Sequence, residues 1–244
     1  MSPDPCSAIP EMISLPAGEF LMGQEDGRDE ERPVHVVRIS PFRLGRTQVT
    51  NAQYDCFCRE TGRMATKFRR QAGFDGSDQP VTGPTWFDCI AFCDWLTALY
   101  GLRFRLPTEA EWEWAARGGL AGRLYPWGDE PVSKRPDYHS RWRSGPEPVA
   151  TSEPNGYGLF DMCENVHEWC SDWYDPNYYS VSPGENPQGQ DSGTRRASRG
   201  GAWRHHIKIA RCAARSSIPP HFEYADYGFR VACEEIGNRT GLRS

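Results

Sequence analysis

The side chains best suited to chemistry are histidines and cysteines. Arg204-His205-His206 sets two imidazoles side by side, and imidazole is a ligand that iron and copper both accept. Neighbours on a strand point to opposite faces, so only one of His205 and His206 is expected to look into any given cleft. A mononuclear iron or copper site would need His167, His221, a carboxylate or another distant group to join it. With Arg204 and Lys208 alongside, the same imidazoles also fit a solvated basic surface. The nine cysteines form no complete metal motif. Cys56 and Cys58 are two apart on a predicted helix and point in different directions. Cys89 and Cys93 can share a face, yet two thiols supply half a zinc site. Buried, apolar roles suit these cysteines better.

These groups must be positioned by few regular elements. Alternating apolar and polar residues predict a strand over Met12–Gly23 and a second, paired with it, over Pro33–Leu44, with Glu25–Arg32 as a charged loop. Three helices are expected: one capped by Thr50 or Asn51 and ended by Gly62, one from about Thr85 to Tyr100 with Gly101 as its stop, and one opened by the capping box Thr108-Glu-Ala-Glu111 and closed by Gly118-Gly119. Beyond Gly122 the periodicity fades into loops, with strand-like pieces near Ser198–Trp203 and Tyr227–Cys233 and the least ordered composition over 175–198. Nine tryptophans, 24 glycines and 20 prolines among 244 residues point to one loop-rich domain organised by aromatics.

A net charge of −5 gives no global basic field, so nucleic acid is not an expected partner. No apolar stretch approaches the roughly 20 residues of a membrane span. Met1–Ser14 lacks the pattern of a signal peptide. With an odd cysteine count, the expectation is a cytoplasmic protein, without a membrane partner, holding mostly reduced thiols.

Segments in a fixed order carry a family resemblance: Gly18-Glu-Phe-Leu-Met-Gly23, Glu31-Arg-Pro-Val-His35, Gln48-Val-Thr-Asn51, Arg105-Leu-Pro-Thr-Glu-Ala-Glu-Trp-Glu113, Tyr125-Pro-Trp-Gly128, Asn155-Gly-Tyr-Gly-Leu-Phe-Asp-Met162, Asn165-Val-His-Glu-Trp169, Arg199-Gly-Gly-Ala-Trp203, Arg211-Cys-Ala-Ala-Arg215 and Gly228-Phe-Arg230. Together they resemble the formylglycine-generating-enzyme, or sulfatase-modifying factor, superfamily. The resemblance implies an α+β, C-type-lectin-like fold with a small twisted antiparallel sheet, over a domain at 12–235 flanked by tails 1–11 and 236–244. It also implies a structural calcium held by Asp161, the carbonyls of Glu164 and Val166, and Glu168, an all-oxygen set that suits a hard cation. His167 stands where relatives commonly carry a large aromatic, which favours a packed core histidine. Cys93 and Cys212 match disulfide positions of secreted relatives whose partners here are Val231 and Ala116, leaving a shifted Cys93–Cys233 bond as an alternative. Cys163 and Cys170, flanking the calcium loop, are the candidates for reactivity.

The family's enzymes bind copper(I) on two cysteines between the Gly-Gly strand and the Arg-Cys-Ala-Ala-Arg segment. Here that interval, Ala202–Ala210, holds no cysteine, and counting from Gly200-Gly201 sets His205 at the first cysteine's position. Conversion of a substrate cysteine to formylglycine is therefore not expected. Two functions remain. One is a binding or accessory module whose irregular surface, with Trp142, Trp203, Arg204 and His205 as candidate contacts, takes a small molecule or a peptide or protein ligand. The other is an oxygen-dependent oxidoreductase with iron or copper, of the sulfoxide-synthase or pyoverdine-maturation type, in which His205 or His206 is catalytic.

Overall fold

The computed structural model describes residues 9–130, 145–205 and 210–234. Four strands form where alternation predicts two. β1 (Met12–Leu15) and β2 (Gly18–Met22) separate at Pro16, and β3 (His35–Ile39) and β4 (Phe42–Gly45) separate at Pro41. Proline has no N–H for a ladder, so each run breaks there and its halves join different sheets. β1 pairs with β4, and β2 pairs with β3.

Helices α1 (Asn51–Thr61), α2 (Trp86–Tyr100) and α3 (Glu109–Arg117) start and stop at their predicted signals. In each, a threonine (Thr50, Thr85, Thr108) accepts from the third helical N–H, and Gln53, Asp88 or Glu111 bonds back to the threonine N–H. Gly62, Gly101 and Gly118, all left-handed, end them.

β5 (Arg103–Arg105) and β10 (Ala232–Glu234) complete an antiparallel sheet in the order β1-β4-β10-β5, so the last described strand lies between two early ones. A second four-stranded sheet runs β8 (Arg215–Ile218), β7 (Arg196–Arg199), β6 (His167–Trp173), β9 (Tyr227–Gly228), with β6 and β9 parallel. β7 stops at Arg199 because Gly200 and Gly201 take φ of 98° and 68°, a conformation that other residues adopt at a cost. His205 therefore sits in a turn, not on the strand expected near Ser198–Trp203. The three sheets and three α-helices among the described residues make the α+β class. Among the described residues no helix is long and apolar enough to cross a membrane.

One apolar cluster gathers Leu44, Trp112, Leu159 and Met162 around α3, and another gathers Phe57, Phe92, Trp169 and Phe229 against α1 and α2. Buried ion pairs run through both. Glu168, on β6, receives Arg230 at 2.6 and 2.7 Å, Trp112 Nε1 at 2.7 Å and Gln48 Nε2 at 2.9 Å. Glu113 receives Arg117, Arg199 and the Gly23 N–H, and Glu109 receives Arg215.

The thiols depart from expectation in three ways. Cys56 is disulfide-bonded, an exception to the expected mostly reduced thiols, and an oxidised pair weakens the argument for a cytoplasmic setting. Cys93 is a free thiol, so the shifted bond to Cys233 is not formed; both side chains pack as apolar groups in the second cluster. Cys163 and Cys170 are fully buried, and burial pushes both thiols well above their ordinary range, which suppresses the thiolate that reactivity needs.

Two stability predictions follow from the ion pairs. Arg230→Met should cost about 3–5 kcal/mol in urea unfolding, because it strands the Glu168 charge in the core. For Glu113, burial raises the carboxyl, but Arg117 and Arg199 outweigh that and hold it below its ordinary value. Its stabilisation is present above the unfolded carboxylate pKa and is lost as pH falls through the folded one. Glu113→Gln should therefore lose less stability than the parent between neutral and acid pH, measured by the same unfolding.

Candidate functional site

Alternation along β6 sends Glu168 into the core and its neighbour His167 to the opposite face. The parallel β6–β9 pairing sets His167 against Tyr227, and the His167 N–H donates to the Asp226 carbonyl at 2.8 Å. That pairing brings Asp226, remote in sequence, beside His167. From the other side comes the turn after Gly200-Gly201, held by Trp203 N–H to the Asn165 carbonyl (2.8 Å) and His205 N–H to the Ala202 carbonyl (2.9 Å).

The three side chains form a chain of contacts. His205 Nε2 lies 3.0 Å from Asp226 Oδ2, and His205 Nδ1 lies 2.8 Å from His167 Nε2. Arg204 clamps Asp226 through Nε at 3.0 Å and Nη2 at 2.8 Å. Donor atoms of His167, His205 and Asp226 all lie within 4.8 Å of one another.

Charge fixes the protons. Burial pushes the Asp226 carboxyl up, but His205 and Arg204 more than offset this and hold it well below the usual carboxylate range. An ionised Asp226 accepts, so His205 Nε2 carries a proton and Nδ1 turns its lone pair toward His167. Burial, aided by the charge of His205, lowers His167 to about 3, so it stays neutral. His167 Nδ1 is buried with no hydrogen-bond partner, and Tyr227 covers the ring at 4.9 Å between centroids.

The imidazoles of His167 and His205, presenting nitrogens 2.8 Å apart, allow two chemistries. One is an N–H···N bond that passes a proton along the Asp226–His205–His167 line. The other is shared ligation, in which His167 Nε2 and His205 Nδ1 would together hold one metal ion. In that case Asp226 is the outer carboxylate that orients a ligating histidine.

The predicted calcium loop is a second, oxygen-rich place. Asp161, at φ 56°, accepts from the Ala150 N–H at 2.8 Å and faces Ser152 Oγ at 3.5 Å. Burial raises its carboxyl to about 6. Glu168 is already occupied by Arg230, Trp112 and Gln48. What converges is a set of oxygens around the Gln48 amide nitrogen: Asp161 O at 3.2 Å, Glu164 O at 3.4 Å and Glu168 Oε1 at 2.9 Å. Gln48 Oε1 is buried without a partner. The amide N–H2 thus stands where oxygens gather, and a hard cation suits such a donor set.

Sequence reasoning thus named His205 and His167 but missed Asp226 and Gln48. Asp226 has no local signal, since only the parallel strand pairing delivers it. Gln48 was visible within the Gln48–Asn51 segment, without a role. Trp203, Arg204 and His205 are consecutive on one turn, with Trp203 half-buried against Phe74. Val166 is buried on the loop, and its N–H donates to the Glu164 carbonyl. Trp142 and His206 lie outside the described residues. His221 is exposed, beside Phe222, and does not join the cluster.

Comparison with known proteins identifies the family and the fold. Residues 1–235 match the Sulfatase-modifying factor enzyme 1-like domain. The formylglycine-generating enzyme of Streptomyces coelicolor is 35% identical over 90% of this chain and 88% of its own length. That of Mus musculus is 32% identical over 94% of this chain and 76% of its own. Among solved structures, PvdO from Pseudomonas aeruginosa superposes with a TM-score of 0.85 at 29% identity, covering 94% of this chain and 96% of that one. With a match over nearly its whole length and relatives above 30% identity, the chain belongs to the formylglycine-generating-enzyme (sulfatase-modifying factor) family.

Proposed function

We propose that this protein is an oxygen-dependent oxidoreductase in which an imidazole site replaces the family's paired thiolates. The observation that carries this reading is the meeting of His205 with His167 and Asp226 within 4.8 Å, at the position that aligns with the family's first catalytic cysteine. The thiolate copper site does not fit this chain, because Ala202–Ala210 contains no cysteine. An imidazole pair fits iron or copper instead. Either metal would supply one-electron chemistry with oxygen.

The chain's own residues do the rest. Asp226 holds His205 in one tautomer and keeps its Nδ1 lone pair turned toward the site. Arg204 fixes Asp226 in place through its two hydrogen bonds. Burial keeps His167 unprotonated, and so available as a donor, across the working pH range. Trp203 and Arg204, on the same turn as His205, serve as contacts for an organic substrate.

The competing reading, a binding module without turnover, draws on the same cluster: hydrogen bonds already join His167, His205 and Asp226 to one another, and the turn that bears His205 offers an aromatic and two polar groups. The oxygen-converging loop at Asp161, Glu164, Val166 and Glu168 supports, in either reading, a structural calcium that Gln48 joins as a ligand by turning its orphaned Oε1 inward.

Two measurements test these assignments. Protein purified without chelator and reloaded anaerobically with iron(II) or copper should bind about one equivalent by elemental analysis and consume oxygen with a thiol or phenol. His205→Ala and His167→Ala should lose that equivalent, and Asp226→Asn should weaken it by about 10–100-fold. Unchanged binding in His205→Ala contradicts the site, and stoichiometric metal without oxygen uptake favours the binding module. For calcium, chelator-stripped protein should gain about 2.7 kcal/mol when calcium is raised to roughly 100 times its Kd. Asp161→Ala and Gln48→Leu should blunt that gain, and indifference of the parent melting curve to calcium rejects the staple.

A further inference from the structure

At the far end of β6 from His167, one arginine lacks what every comparable arginine has. Arg105, Arg117, Arg199, Arg211, Arg215 and Arg230 each meet a carboxylate. Arg196 is half-buried and meets none within 4.0 Å among the described residues. Its guanidinium carbon lies 3.8 Å from the ring centre of Trp86 and 3.4 Å from that of Trp173. Nη1 donates to the Ser171 carbonyl at 2.6 Å, and Nε is buried with no partner at all.

Stacking accounts for the position of the cation but not for its missing anion. A guanidinium held by aromatic faces gains cation–π attraction, yet its in-plane N–H groups still demand acceptors, and a buried donor left unpaired is costly. The indoles are themselves fixed. Trp86 Nε1 donates to the Cys170 carbonyl at 2.9 Å, and Trp173 stands opposite Arg196 in the β6–β7 ladder. The guanidinium plane is thereby set, and a flat two-oxygen group arriving edge-on is the partner that matches a rigid fork.

The arginine lines a cleft of about 630 Å3 whose walls include Phe42, Trp86, Ile90, Thr108, Asn186 and Gln188. Arg103, Arg105, Glu111 and Glu234 complete the charged wall. Arg105 is committed to Glu111 and Glu234, and Arg103 leans on Glu234 at 3.8 Å. Three arginines against two glutamates leave one positive charge, centred on Arg196. The same glutamates penalise a dianion more than a monoanion, which favours carboxylate over phosphate. Phe42, Ile90 and the Trp86 edge offer an apolar body its place.

We infer that this cleft is a second binding site, for a small monocarboxylate with an apolar or aromatic body, whose carboxylate pairs with the in-plane edge of Arg196 between Trp86 and Trp173. The site is separate from the histidine cluster. His167 and Trp173 stand at opposite ends of a seven-residue strand, roughly 20 Å apart at about 3.3 Å per residue. Binding there does not depend on a metal at His167 and His205, so the oxidoreductase reading and this one fail separately.

The test is calorimetric titration of the full chain with N-acetyl-L-phenylalanine, N-acetyl-L-phenylalanine amide, benzoate and inorganic phosphate. The two carboxylates should bind saturably, and the amide should bind at least about tenfold more weakly because it cannot form the charge-assisted pair. Arg196→Gln should remove the preference for acid over amide, while Arg196→Lys keeps part of it. Acid and amide binding alike in the parent protein overturns the proposal without reference to any variant. Absence of saturable binding by both carboxylates overturns it too, and phosphate binding as tightly as benzoate overturns the carboxylate assignment.

Discussion

Everything at the histidine cluster depends on where Glu168 points. Its carboxylate is fully buried and takes four donors, two from Arg230 and one each from Trp112 and Gln48. Arg230 in turn donates to the Gly45 and Phe160 carbonyls, so one charge ties β6 to α3, β4 and the loop before β6. A one-residue slip of β6 would send this charge to the outer face and leave Arg230 unpaired in the core, a penalty of several kcal/mol. The register of β6 is thus locked, and with it the opposite-facing His167.

A second constraint brings the rest of the site to that histidine. The parallel ladder with β9 delivers Asp226, and the Gly200-Gly201 turn delivers His205. Each is fixed by backbone hydrogen bonds before any side chain meets. The side-chain geometry is then over-determined: Arg204 clamps Asp226, Asp226 sets the His205 tautomer, and burial keeps His167 neutral. Such pre-setting is what a site needs if it is to hold a metal or move a proton without rearrangement. The Arg196 cleft uses the other end of the same strand, where the ladder loosens into an irregular register between Trp169 and Trp173. One end of β6 thus carries the His167 imidazole, and the other end, at Trp173, pairs with Arg196 of β7, whose guanidinium stacks on that indole.

Local signals were legible in the sequence and non-local ones were not. Thr50, Thr85 and Thr108 with their glycine stops mark the helices because capping acts over a few residues. Pro16 and Pro41 carry the signal that splits the early strands, although alternation alone runs across them. The ordered motifs point to the family, and the chemistry of imidazole offers His167 as one of several partners for His205, beside His221 or a carboxylate. Asp226 was hidden because the strand-like piece at Tyr227–Cys233 gives no sign that its first two residues pair in parallel with β6. The short β5 and β8 escaped because so few residues show no clear period. Arg196 and Trp173 were invisible as a pair, since their contact depends on a register that composition does not encode.

The account stands most directly on the coupling of two imidazoles to one metal. Pulsed electron paramagnetic resonance of the copper(II)-loaded protein reads nitrogen couplings from each ligating ring. Two inequivalent imidazole couplings, reduced to one in His205→Ala with the fold intact, are the predicted result. A spectrum without imidazole coupling, or one that His205→Ala leaves unchanged, would contradict the assignment of His167 and His205 as the metal-binding pair.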